Sequence, residues 1–475
     1  MAPLSAADAP DSAVSSANAT YDGNTLVLTG HVLLDHGMGK MAADAARLQR
    51  QESGKEFPFS LIELTQNVLL DLKTGAKIEC AHAALDFIQL KGLLTSQEGK
   101  KVVYSDTVKK GPLRLLGKNI DLKIAKKDES KKNDFAIEAI LAKDEVSIEF
   151  GKGFVLHADR ALYRKEDAQE GAPSQEFQGV VTAYPKDAKT PCRLTHEGDL
   201  IDAETVDLDL AHQKLSFLHP KGLLTSLLIP GLQKGELKFS SDHLLWDHVK
   251  NALTLKGHVK VMESVLGTLS SEGELEILQQ EQKQHRLLKA IRTRGTSTLD
   301  FKDANNRVHH LLGHGPFLFD RERLRATFES PKRNGRVPEE RQLFYRSEEI
   351  SLFANQALME YTAQEGGVRP TVLTLTGNIR LFSSDENQPR FALGDRLSLS
   401  TTTRTLILTA DPGKRVLFID EKQGMRIAAQ EVHITRDPET REERVQGVGN
   451  VKFSFTDEEN SLLKKIFPRF QGPTS

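Results

Sequence analysis

Residues 25–34 read TLVLTGHVLL, a strand-like stretch in which Gly30 and His31 interrupt an alternation of apolar and polar residues. Apolar residues at every second position predict a strand with one buried face. A glycine inside such a strand is typical of a bulge, a bend or a close backbone approach. The stretch therefore predicts a strand that turns a corner, with Leu28 and Val32 on its buried face.

The same five-residue phrase recurs along the chain. Its positions are an apolar residue, any residue, usually Gly, then either His or Asn, and last a β-branched residue. It reads LTGHV at 28–32, LKGHV at 255–259, LTGNI at 375–379 and, more loosely, LTQNV at 64–68 and GVGNV at 447–451. Strand units that repeat in this way indicate a stacked β architecture, in which each unit buries its apolar face against its neighbours. Because the spacing of the copies varies, hairpins of different lengths must lie between them.

A second phrase follows most copies and begins with a small residue and then Asp, Glu, Gln or His. Its acidic members are Asp44, Asp159, Asp242 and Asp395. An acid that recurs across repeats is typical of a turn or an edge-capping residue rather than a catalyst. The phrase KGLLTS at 91–96 returns unchanged at 221–226, which indicates internal duplication.

The composition limits the possible partners. The chain has 475 residues, and its 64 Lys and Arg nearly balance 66 Asp and Glu, so charge gives no argument for nucleic acid or an anionic membrane surface. Cys80 and Cys192 provide no disulfide framework and are expected to be free buried thiols, although they could pair. No apolar run approaches the roughly 18 residues of a spanning helix. Residues 1–18 lack the features of a secretory signal and are expected to be a disordered leader or a processed N-terminus.

Helical patterns are scarce. Residues 276–291 are compatible with a short helix or with a long hairpin. Residues 461–470 place apolar side chains at helical spacing next to basic ones, and they predict a terminal helix that either caps the last strand or docks on a membrane or partner.

Sequence motifs for enzymatic chemistry are missing. We find no phosphate loop, paired zinc-binding cysteines, nucleophile elbow or dinucleotide fingerprint. The densest histidine cluster is His309, His310 and His314. Adjacent residues of a strand point to opposite faces, so at most two of these three could share a metal. We therefore expect no metal, no cofactor and no enzymatic activity.

Together the two phrases resemble the OstA-like family, the periplasmic lipopolysaccharide-transport proteins of the LptA type. The likeness is good at 26–48, 253–277, 373–399 and 408–451, and loose at 100–235. It implies an all-β fold, an elongated antiparallel β-jellyroll with two or more rolls in tandem and a short C-terminal helix. The expected divisions are a leader at 1–18, N-terminal roll or rolls at 19–235, a central roll segment at 236–330, a C-terminal roll at 342–460 and a terminal helix or tail at 461–475.

The resemblance further implies that an apolar slot shields the acyl chains of lipopolysaccharide while the head group stays outside. Passing lipid from slot to slot would bridge its transport across the periplasm to the outer membrane. The expected partners are lipopolysaccharide itself and inner- and outer-membrane transport components that pair edge strands with the chain, with head-to-tail self-association as a further possibility. The candidate slot residues are Leu26, Leu28, Val32, Leu34, Leu253, Leu255, Val259, Val261, Leu373, Leu375, Ile379, Leu381 and Val451, and the outward-facing controls are His31 and His258.

Two other interpretations remain open at this point. A structural β-solenoid scaffold would have the same strands, a core filled by its own side chains and no lipid cargo. An enzyme on a β-helix, such as a polysaccharide lyase, would need Asp, Arg or Lys clustered across neighbouring strands on one outer face. The first interpretation is favoured if bulky side chains line both walls of the roll.

Overall fold

The computed structural model describes residues 14–50, 59–108, 111–126, 135–151, 153–165, 179–225, 236–263, 266–282, 285–303, 306–364, 367–383, 389–403, 405–436 and 443–455. These residues form antiparallel β-structure almost throughout, with a single turn of 3-10 helix at Glu339–Arg341. The all-β class predicted from the sequence is confirmed. The expected terminal helix at 461–475 lies outside the described residues.

The chain divides into two compact units, one made of residues 1–225 and 238–256 and the other of residues 226–237 and 257–475. Residues 331–341 separate two strands of the second unit without ending it. The finer divisions expected at 235 and 330 remain predictions.

The strands up to residue 256 are β1 (Val14–Ser15), β2 (Asn18–Tyr21), β3 (Thr25–His36), β4 (Gly39–Gln49), β5 (Leu61–Leu72), β6 (Lys77–Asp86), β7 (Lys91–Thr95), β8 (Val102–Val108), β9 (Gly111–Gly117), β10 (Asn119–Lys126), β11 (Phe135–Phe150), β12 (Phe154–Lys165), β13 (Gly179–Tyr184), β14 (Cys192–His196), β15 (Asp199–Ala203), β16 (Thr205–Asp209), β17 (Lys214–Leu218), β18 (Lys221–Thr225), β19 (Glu236–Ser240), β20 (His243–Asp247) and β21 (Ala252–Lys256).

The strands from residue 257 onward are β22 (Val259–Glu263), β23 (Gly267–Ser271), β24 (Glu274–Gln282), β25 (His285–Arg294), β26 (Ser297–Lys302), β27 (Val308–Gly313), β28 (Phe317–Asp320), β29 (Arg325–Glu329), β30 (Leu343–Arg346), β31 (Ile350–Ala354), β32 (Gln356–Gln364), β33 (Gly367–Ser383), β34 (Arg390–Ser400), β35 (Thr405–Thr409), β36 (Val416–Asp420), β37 (Met425–Ala429), β38 (Glu431–Arg436), β39 (Glu443–Val448) and β40 (Lys452–Phe455).

Long strands in each unit take part in two sheets. In the first unit, residues 135–143 of β11 pair with β10, whereas residues 147–150 pair with β9, and β12 accompanies both halves. Each long strand therefore leaves one sheet at a corner and enters a second one. The two sheets face each other with their apolar sides, which is how period-two strands bury a core.

The second unit has the same arrangement, with two sheets, I and II. Sheet I contains β24, β25, β28, β29, β32, the first half of β33, the second half of β34, β35, β38 and β39. Sheet II contains β22, β23, β26, β27, β30, β31, the second half of β33, the first half of β34, β36, β37 and β40.

The corner predicted at Gly30 and His31 is confirmed. Both residues have left-handed backbone conformations, with φ of 81° and 49°, and the pairing of β3 with β4 shifts register between Thr29 and Val32. Two residues of β3 thus oppose the single residue Asp44. Glycine adopts the left-handed backbone conformation at no steric cost, and Asn, Asp and His tolerate it.

Two of the four recurring acids, Asp44 and Asp395, cap corners as the sequence predicted. Asp44 accepts a hydrogen bond of 2.8 Å from the side-chain amide of Asn67, itself a left-handed corner residue of β5. Asp395 accepts one of 2.9 Å from the backbone N–H of Asp411 and one of 2.8 Å from Lys414. These carboxylates therefore satisfy polar groups where strands change sheets.

Two uncertain segments are resolved by the strand pairing. β24 pairs antiparallel with β25, so for residues 276–291 the hairpin interpretation is confirmed and the helical one is wrong. From Val14 onward the predicted leader belongs to the sheet, because β1 and β2 pair with β3. The side chains of β1 and β2 are all exposed, although Val14 lines a groove with Leu33 and Leu34 of β3.

Replacing Gly377 by Ala tests the corner geometry. Gly377 has φ of 81°, and an added Cβ would lie 2.6 Å from the side-chain nitrogen of Asn355. We expect the free energy of unfolding of the second unit to fall by about 2–3 kcal/mol, from backbone strain plus overpacking.

The matched control is Gly413→Ala, because Gly413 has φ of 84° and open space around its added Cβ. In this variant only backbone strain lowers the free energy of unfolding, and we expect a loss of about 1 kcal/mol. Both losses are measured by urea denaturation followed by circular dichroism. Equal losses in the two variants would contradict the close approach at the corner.

Candidate functional site

A cavity of about 310 Å³ lies in the second unit, within the size range of small-molecule sites. Sheet I lines it with Leu399, Leu406 and Ile434, and sheet II with Tyr345, Ile350, Leu381 and Phe418. The cavity adjoins the strand ends that point away from the corners. It therefore lies between the two sheets, and its lining combines apolar side chains from both of them with polar and charged ones.

The mouth of the cavity is charged and consists of Arg307, Glu348, Glu349, Arg390 and Glu443. The Nε atom of Arg307 donates a hydrogen bond of 2.8 Å to Asp303 Oδ2, and its Nη1 donates a longer one of 3.4 Å to Glu349. The Asp303 side chain has no exposed surface, whereas that of Glu349 is 46% exposed. Arg307 is thus fixed by a buried carboxylate and only weakly bound by the exposed one.

Arg390 has a similar arrangement at the mouth. Its Nε donates a hydrogen bond of 2.8 Å to the buried Asp420, and its Nη1 donates one of 2.5 Å to Glu443. Burial opposes the charge on this guanidinium, but the hydrogen bonds to Glu443 and Asp420 outweigh burial and raise its pKa. Arg390 therefore stays charged and holds two carboxylates together.

A buried polar network forms one wall of the cavity. His309 Nδ1 lies 2.7 Å from the hydroxyl of Tyr345, and His309 Nε2 lies 3.3 Å from Asp303 Oδ2. The His309 ring stacks on Phe301 at a centroid distance of 4.8 Å. Burial lowers the pKa of His309 despite the nearby carboxylate of Asp303, and burial raises the pKa of Tyr345. The His309 ring and the Tyr345 hydroxyl are therefore both neutral near pH 7. The contact with His309 fixes the Tyr345 ring in place.

The three clustered histidines do not converge on a metal. His310 Nδ1 pairs with Asp300 at 2.6 Å, and His314 Nδ1 lies 3.4 Å from the Thr296 hydroxyl. Nowhere in the described ranges do three His, Cys, Asp or Glu side chains gather as a metal site would require.

The charge of the mouth favours an uncharged ligand group. Its guanidinium groups, Arg307 and Arg390, are outnumbered by the carboxylates of Glu348, Glu349 and Glu443 and of the adjoining Asp303 and Asp420. An excess of like charge disfavours phosphate or carboxylate groups at the same place. The arrangement can thus admit an apolar chain while keeping an anionic head group outside.

Most predicted slot residues lie in packed parts of the interior. Those buried with almost no exposed surface are Leu28, Val32, Leu34, Leu253, Leu255, Val259, Val261, Leu373, Leu375, Ile379 and Leu381. Of these, Leu381 lines the 310 Å³ cavity, Leu34 lines a groove of about 390 Å³ beside β1, and Val261 lines a void of only about 20 Å³. Leu26 is half-buried, and Val451 differs from the rest because it is 37% exposed. Contact of these residues with lipid remains a prediction, and the control residues His31 and His258 are exposed as expected.

Aromatic clusters fill the interior of the first unit at the ends of its strands. Phe154 stacks on His196 with centroids 3.5 Å apart, and Trp246 meets Phe154 edge-on at 5.4 Å. A second cluster packs His36 against Phe87 at 4.4 Å and against Phe135 at 5.8 Å. Sequence periodicity did not identify these clusters, because their members come from strands far apart in the chain.

Compared with known proteins, the chain matches no family model and no curated protein. None of the described residues forms a helix long and apolar enough to cross a membrane. Cys80 and Cys192 are both free, and burial raises the pKa of each thiol to about 12, so neither is a reactive thiolate.

Proposed function

We propose that this chain binds the acyl chains of lipopolysaccharide in the apolar interior of its second unit. In the same proposal, it hands the lipid across the periplasm toward the outer membrane. The observation that carries the proposal is the cavity between sheets I and II, where apolar side chains of both sheets meet a mouth rich in carboxylates. An acyl chain fits the lining, whereas its phosphorylated head group is kept outside by like charge.

The energetics support binding without catalysis. Each buried methylene contributes about 0.8 kcal/mol, so a chain of ~14 carbons gains roughly 11 kcal/mol before the costs of association. A cavity of about 310 Å³ holds only part of such a lipid, so we propose that the sheets separate further when lipid binds. The proposed partners are inner- and outer-membrane transport components that add strands to the edges of the chain, and further copies of the chain joined head to tail.

A structural scaffold is the second candidate, and the packing of the first unit favours it. Phe154, His196 and Trp246 occupy the space that an acyl chain would need there. If side chains also filled the interior of the second unit in solution, the chain would bind no lipid and would act only as a scaffold between other components.

Photo-crosslinking distinguishes the two candidates. A photoreactive amino acid is placed at Leu381 or Leu406, which line the cavity, and at Asn378, an exposed residue of the same strand as Leu381. Purified lipopolysaccharide is expected to crosslink at the first two positions and not at Asn378. A folded protein with no crosslink at Leu381 or Leu406 would favour the scaffold.

A further inference from the structure

We propose that the ion pair between Arg390 and Glu443, called the latch pair below, holds sheets I and II together at the mouth of the cavity. Uptake of an acyl chain then requires that the latch pair separates. This inference rests on the acyl-binding function proposed above, and it concerns how the same cavity is reached.

The latch pair connects strands of different sheets. Arg390 begins β34 in sheet II, where its register partner is Asp420, and Glu443 begins β39 in sheet I. Both residues line the cavity. Because the corners join the two sheets on the other side, a contact between these strand ends ties the sheets together where the cavity meets solvent.

The environment of the two residues decides which of them moves. Arg390 is also bound by Asp420, whose side chain is only 2% exposed, at 2.8 Å from its Nε. Separating that pair would leave a buried carboxylate without its guanidinium, which is strongly unfavourable. The Glu443 side chain is 24% exposed and can turn into water. Release therefore means that Glu443 leaves while Arg390 stays on sheet II.

The other arginine of the mouth provides a matched comparison. Arg307 follows β26 and Glu349 precedes β31, so their contact of 3.4 Å stays within sheet II. Glu349→Gln and Glu443→Gln remove the same charge from the same mouth. Only Glu443→Gln removes a tie between the sheets.

The test measures the rate at which a neutral apolar fluorophore, N-phenyl-1-naphthylamine, enters the full-length protein by stopped flow. Unlabelled lipopolysaccharide serves as the competitor that identifies the site. We expect Glu443→Gln to raise the association rate roughly fivefold, as for loss of a partly exposed ion pair. Glu349→Gln also removes a charge from the mouth but breaks no tie between the sheets, so we expect it to raise the rate clearly less. We also expect the wild-type rate to rise with salt and the Glu443→Gln rate to respond less.

The possible outcomes test the latch pair and the proposed acyl-chain binding separately. Competed binding with the same rate in wild type and Glu443→Gln overturns the latch and leaves acyl binding intact. An equal acceleration in both glutamine variants also overturns it, since the effect would then be one of general charge. Folded protein that never binds the fluorophore overturns the acyl-binding function itself. If Glu443→Gln does not fold, the wild-type salt dependence decides, and a rate independent of salt overturns the latch.

Discussion

Replacing Arg307 by Met is expected to lower the free energy of unfolding of the second unit by about 3–5 kcal/mol. The Asp303 side chain is fully buried, and it would lose contacts of 2.8 Å and 2.7 Å to the guanidinium of Arg307. The backbone N–H of residue 307 and the neutral ring of His309 also contact this carboxylate, but neither carries a positive charge. Urea denaturation measures the loss, and hydrogen exchange in β26 and β27 localises it.

Two further variants make this prediction specific. Asp303→Asn in the Arg307→Met background removes the buried charge and is expected to recover most of the stability. Arg325→Met breaks a pair of similar length in the same unit, 2.8 Å to Glu360, but both of those side chains are more than a third exposed. That change is expected to cost about 1 kcal/mol or less. Similar losses for Arg307→Met and Arg325→Met would contradict the importance of burial at Asp303.

The fold was accessible from the sequence where its signals are local. The alternation around Gly377 predicts a strand by itself, and a Gly–Asn pair within it predicts the corner, because few other residues adopt left-handed conformations easily. The corner at Asp144 and Glu145 has a weaker signal, because it contains no glycine and Glu seldom adopts a left-handed conformation. Both residues have positive φ, 62° and 55°, and the pairing of β11 with β12 on either side imposes the strain.

Apart from Leu381, the candidate site could not be predicted because its residues meet only through topology. Arg390 lies 30 residues from Asp420 and 53 from Glu443, and each looks like an ordinary charge at a strand end. Whether a part of the interior is filled by side chains or contains a cavity also depends on residues far apart in the sequence. Leu373 and Leu381 have the same parity on β33, yet only Leu381 lines the cavity, since the side chains of the facing sheet decide how much space remains.

Stability of the first unit is expected to fall as the pH drops from about 6.5 to about 4, through protonation of His36. Burial, together with nearby Lys73, lowers the pKa of His36 to about 4, and Asp35 acts in the opposite direction. Its Nδ1 accepts a hydrogen bond of 3.2 Å from the backbone N–H of Met38, and a protonated ring would lose that bond. Because the unfolded chain binds the proton more readily, the stability that His36 contributes is fully present above pH 6.5 and is lost on acidification.

The expected loss is about 3 kcal/mol in total, with a slope of roughly 1.4 kcal/mol per pH unit that levels off below about pH 4. Trp246 is the single tryptophan and belongs to the first unit, so its fluorescence follows urea denaturation of that unit at each pH. The matched variant is His36→Phe, whose ring suits the contacts with Phe87 and Phe135 and carries no proton. Subtracting its pH profile from that of the wild type removes every other titrating group. A flat difference between pH 4 and 6.5 would mean that His36 is protonated in the folded state as easily as in the unfolded one, and that the aromatic cluster does not exclude charge.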